Sequence, residues 1–278
     1  VDQSAQNAGW FSAGYTYAMA PMLIVGMIYS LLPAVSEAHA QGNRRLMQEY
    51  FDLAVKYALT IIMFVFSVYL AAAGDIVEFF SGPEFPAERL GPLTVVLAVG
   101  MSACMLMVML ANFLIGIKRP GAPAVITLCA LGLLAGGVWA VGKYSGGLLA
   151  AGTVFDAAIL CGLLATAVYA TRTTGLKWPW LKTLRPVGAG SAAGALLGLL
   201  PTEGVSFVMV LAAAPAVYLL LLGWAGGIGE ADFQMLRGTL GSTRAARLVS
   251  LAAAAEKVIV AGPLADSRKE GKAKEKHE

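Results

Sequence analysis

Four polar side chains stand inside runs that otherwise carry almost no charge. An ionisable group at membrane depth is costly enough to be a functional candidate. Asp156 is the only acid well inside such a run, about nine residues in from Gly147 among Gly, Ala and Leu. It can face a wet cavity and hold a cation or a substrate group, or it can hydrogen-bond a neighbouring helix. Asn112 lies deep in the run 91–116 as a packing amide or a ligand. Lys56 is one turn into the run 53–73, where it can snorkel to lipid headgroups or point into a cavity and meet a phosphate. Tyr15 shares its run with Tyr17, Tyr29 and a kinking Pro21. Its hydroxyl suits a sugar and its ring suits packing. Arg44, Arg45, Lys118 and Arg119 make a basic rim that suits a pyrophosphate, although topology alone would also put cations there.

No enzyme is expected. The chain has no Ser-His-Asp set, no HExxH, no GxxxxGK[ST] and no GxGxxG after a strand. Its two histidines, His39 in a loop and His277 in the tail, make no pair. Cys104, Cys129 and Cys161 each sit in an apolar run without a CxxC, as small buried residues do. No metal, cofactor or nucleic acid is expected.

The elements that position these residues follow from composition. Hydrophobic residues are 58 % of 278 and charged residues 13 %, with a mean hydropathy of +0.71. A soluble domain carries about a quarter charged residues, so the solvent is mostly lipid. Val1 begins neither a signal peptide nor the native chain, and the sequence reads as the C-terminal part of a longer protein. A span needs roughly 17–25 apolar residues, which gives seven: 11–34, 53–73, 91–116, 123–142, 147–171, 186–201 and 205–226. Eighteen of the twenty cations fall on one side of that alternation, and only Arg89 and Lys143 on the other. The positive-inside rule makes the crowded side cytoplasmic. Val1 is then outside and Glu278 inside, in a multi-pass plasma-membrane protein.

The sixth span is short. Val187 to Leu200 covers roughly 21 Å at 1.5 Å per residue, between Pro186 and Pro201. A re-entrant hairpin would put the cationic tail outside, so a crossing is expected. Gly190, Gly194 and Gly198 offer a smooth stripe for close helix packing. The outer loop Asp75 to Arg89 is acidic and amphipathic, with Phe79, Phe80 and Phe85 at headgroup level and a Gly82-Pro83 turn. Beyond Gly229 the pattern predicts cytoplasmic amphipathic helices over 231–264, lying on the anionic leaflet. Residues 265–278 read as a disordered charged tail.

Gly9-Trp-Phe-Ser-Ala-Gly-Tyr15, Leu32-Pro-Ala-Val-Ser-Glu37 and the basic loop that follows resemble the start of the C-terminal half of polysaccharide-transport flippases. These belong to the multidrug/oligosaccharidyl-lipid/polysaccharide exporter superfamily. Phe79-Phe-Ser-Gly-Pro-Glu-Phe85 and Asn112-Phe-Leu-Ile-Gly-Ile-Lys-Arg-Pro120 are similar to later segments, so the resemblance covers roughly 9–230. It implies an all-α fold of 14 helices in two lobes around a central cavity, of which this chain is the C-terminal lobe. It implies flipping of a polyprenyl-diphosphate glycan by alternating access. The partners would be that lipid-linked glycan, membrane lipids, the N-terminal lobe and glycan-assembly enzymes. Asp156 matches no motif of that family. Rival readings are a cation-coupled multidrug exporter of the same superfamily, a heptahelical receptor, and a non-catalytic subunit of a glycan-assembly complex.

Overall fold

Long runs of Leu, Val, Ala and Met satisfy their backbone as helices, and turn residues mark where those helices stop. The computed structural model describes residues 3–82, 85–144, 147–200, 205–228 and Asp232. Among these the chain is all-helical, 88 % helix with no strand. The helices are α1 (Gln3–Ala18), α2 (Val25–Ala40), α3 (Arg44–Ser81), α4 (Ala87–Gly116), α5 (Gly121–Lys143), α6 (Leu148–Thr174), α7 (Trp180–Leu197) and α8 (Val205–Trp224). A 3-10 turn, Ala20–Ile24, joins α1 to α2. Five of them, α3, α4, α5, α6 and α8, are long and apolar enough to cross a membrane.

Several boundaries differ from the sequence expectation. The run 11–34 is divided at Pro21, which lies in the 3-10 turn. α2 passes through Pro33 and ends at Ala40, so His39 is in its last helical turn and not in a loop. Proline removes one helical hydrogen bond. Tertiary contact offsets that loss, because Val35 and Ala38 are buried and Ser36 Oγ donates to Gly116 O at 3.1 Å. The loop expected over 75–89 is shorter than that. α3 runs on through Asp75 to Ser81 and stops at Gly82, whose φ of 79° favours glycine. α7 starts at Trp180, before Pro186, and reaches 18 residues. Pro83 and Pro201 lie outside the described residues. So do the amphipathic helices expected over 231–264, Asp232 apart, and the tail 265–278.

α4 is the axis of the bundle. Two thirds of its apolar window is buried, against 6 % for α5. α1 and α2 lie along it: Arg89 sits over the Trp10 ring at one end, and Val35 meets Gly116 at the other. α6 covers another flank of α4, and α5 packs chiefly on α6. α7 presses on α3, where a Cβ on Gly190 would lie 2.7 Å from Met63 O. Only glycine permits that approach. At the Arg44 end Phe51, Phe113 and Leu114 join one core, and at the Ser81 end Val77, Leu90 and Leu97 join a second.

Candidate functional site

Asn43 starts α3 by accepting a hydrogen bond from Leu46 N at 3.0 Å on its side chain, an N-cap that fixes the first turn. From there Arg44, Gln48, Asp52 and Lys56 recur every four residues. That spacing keeps them on one side of the helix and carries the stripe about 18 Å along the axis. α3 has 38 residues with a kink at Ala72, and its part before the kink alone is roughly 42 Å long, beyond a ~30 Å hydrocarbon layer. Its first turns therefore have room for polar groups.

Each member of the stripe holds a later part of the chain. Arg44 Nη2 donates to Gly175 O at 2.9 Å, where α6 ends on a left-handed glycine. A cation there also complements the negative end of the helix dipole. Gln48 donates through Nε2 to Lys177 O and accepts from Lys177 N, both at 2.9 Å. Its Nε2 also donates to Asp52 Oδ1 at 2.6 Å. Asp52 Oδ2 takes Lys182 Nζ of α7 at 2.8 Å. Lys56 Nζ meets Asp232 Oδ2 at 2.5 Å, and the Tyr57 hydroxyl donates to Asp232 Oδ1 at 2.7 Å. Nearby, Trp178 stands edge-on to Phe51, and Phe51 in turn to Phe113. Arg185 Nη1 donates to Gly226 O at 2.6 Å just past α8.

The other candidates are placed differently. Arg45 pairs with Glu49 at 3.1 Å on the open surface, where an ion pair is worth little. Lys118, at a positive φ of 62°, and Arg119 are exposed at the turn from α4 to α5. The four rim cations thus do not form one cluster of engaged side chains; only Arg44 is tied into the stripe. Asn112 is buried, donates to Val108 O of its own helix at 2.9 Å, and lines a small crevice with Tyr50, Phe51 and Leu32.

Tyr15 meets Phe155, the residue before Asp156, at the far half of α4. The Tyr15 ring stands edge-on to Phe155 at 6.0 Å. The neighbouring Asp156 Oδ1 is buried against the Gly100 backbone and makes no hydrogen bond of normal geometry. A Cβ on Gly100 would lie 2.2 Å from that oxygen.

Sequence reasoning missed Gln48, Asp52, Tyr57, Lys182, Arg185 and Asp232. The stripe of four polar residues at spacing four was visible, but a span beginning at 53 reads its first three members as loop. Comparisons of the chain with protein-family models, with curated proteins and with solved structures find no match.

Proposed function

We propose that this chain is the C-terminal lobe of a flippase for polyprenyl-diphosphate glycans in the plasma membrane. In this reading it crosses seven times. The bent pair α1–α2 and the short α7 join the five long apolar helices, with the Arg44 end cytoplasmic. The N-terminal lobe completes a two-lobed carrier that works by alternating access.

One observation carries the reading. A polar stripe, ending in a lysine, climbs the flank of the longest apolar helix from the cation-rich end. A charged diphosphate-sugar head cannot be drawn through hydrocarbon without a large desolvation cost. A flank of polar side chains that exchange their internal partners for the head group replaces its water while the lipid tail stays in the bilayer. The family resemblance over 9–230 supports the same cargo.

The test is a deletion strain of the complete gene. Glycan-lipid should accumulate on the inner leaflet and return to normal on complementation. Normal surface glycan with no accumulated intermediate refutes the reading. Within it, Asp156→Asn lowers export while folded protein stays at wild-type level. Unchanged export would leave that carboxyl a packing role alone.

A further inference from the structure

Among the contacts of the α3 stripe, the one at Lys56 differs in kind. Arg44 and Gln48 bind backbone groups, and Asp52 binds a lysine on the adjoining helix α7. Lys56 and Tyr57 instead divide one carboxylate between them, each taking a separate oxygen of Asp232, at 2.5 and 2.7 Å. That carboxylate arrives from 176 residues further along the chain, beyond α8. The paired Lys56 and Asp232 side chains are only 17 % and 14 % exposed. The nearest acid on the stripe, Asp52, is already taken by Gln48 and Lys182. An ammonium and a hydroxyl converging on two adjacent oxygens is an arrangement that a phosphoryl group satisfies equally well, with more negative charge than a carboxylate brings.

We infer that Lys56 and Tyr57 form a phosphoryl-binding site that Asp232 keeps filled with a carboxylate of the chain's own. Asp232 acts as a resident competitor that an incoming phosphoryl oxygen displaces. The inference deepens the reading above, in which a diphosphate passes this end of α3. It adds a carboxylate that occupies Lys56 and Tyr57 when no ligand is present. A ligand's apparent affinity falls by the fraction of protein in which its site is open, so removing the competitor must tighten binding.

The experiment is a calorimetric titration of the full chain, in phosphatidylcholine nanodiscs, with inorganic pyrophosphate. Asp232→Asn should bind it about tenfold more tightly than wild type, and Lys56→Gln should bind none. A charge exchange, Lys56→Asp with Asp232→Lys, should restore the melting temperature of the wild type yet bind no pyrophosphate, which separates a site from a structural bridge. The same titration in discs containing phosphatidylglycerol assigns the source of the phosphoryl group. Weaker apparent binding there than in discs given the same negative charge by oleate means that lipid headgroups occupy the site; equal binding in the two means a soluble or glycan-borne diphosphate. Wild-type affinity in Asp232→Asn, or retained binding in the exchanged pair, overturns the inference. Neither result touches the glycan-accumulation test, so the two proposals fail separately.

Discussion

Two polar regions of this bundle are built on opposite terms. At the Arg44 end of α3 every stripe side chain has a partner at hydrogen-bond distance, and the partners are the connectors and ends of other helices. At the contact of α4 with α6, one carboxyl oxygen of Asp156 is pressed against the Gly100 backbone and makes no hydrogen bond of normal geometry. The first region ties distant pieces of chain together. The second holds a poorly satisfied group where two helices touch through Gly100. Buried polar atoms are nearly always hydrogen-bonded, so the second region is under a constraint that the first is free of.

The sharpest way to break this comparison is at Gly100. An alanine methyl there would sit 2.2 Å from Asp156 Oδ1 and 2.7 Å from the Phe155 ring. Overpacking of that kind costs about 1–3 kcal/mol, so Gly100→Ala should melt several degrees lower in detergent. Adding Asp156→Ala should recover part of the loss. An unchanged melting temperature would mean that α6 does not rest on α4 at this point.

Next in size is Gln48→Ala. It removes both hydrogen bonds to the Lys177 backbone and should cost about 1–2 kcal/mol, at roughly 1 kcal/mol per bond. Faster protease cleavage at residues 175–179 is the measurement, and wild-type cleavage would show that the connector is held by other means. Asp156→Ala on its own should move the other way, raising stability by about 1 kcal/mol or less, because an acceptor held only by a poorly aligned backbone contact at Gly100 is incompletely compensated. Thermal melts of the two variants side by side check the sign. A loss in both would erase the contrast. With the export defect proposed for Asp156→Asn, a gain in stability would mark a site where function is kept at the expense of packing. The smallest effect belongs to Arg45→Ala. Arg45 is 90 % exposed in its pair, and a change within a few tenths of a kcal/mol is expected.

The long apolar helices were legible because length and composition alone define them, and Asp156 stood out because no other acid lies well inside a span. Helix ends were harder to read. Pro33, Glu37 and Asp75 look like loop residues, yet contacts such as Ser36 to Gly116 carry the helix past the first two. The α3 stripe was hidden by its place at a helix start, where polar residues suit a loop and a helix equally. The pairing of Lys56 with Asp232 had no local signature, since nothing in the spacing of residues so distant in the chain says that they meet.

The short join between α1 and α2 has an outcome of its own. α1 is fastened to α3, where Tyr69 donates to Tyr17 O and the Tyr17 and Ser81 hydroxyls pair at 2.7 Å. α2 is fastened to Gly116 at the opposite end of α4. Two helices anchored so far apart set the join's length like the shank of a bolt. Dropping one residue from Ala20–Ile24 would turn α2 by about 100° on its axis and swing Val35 off its seat.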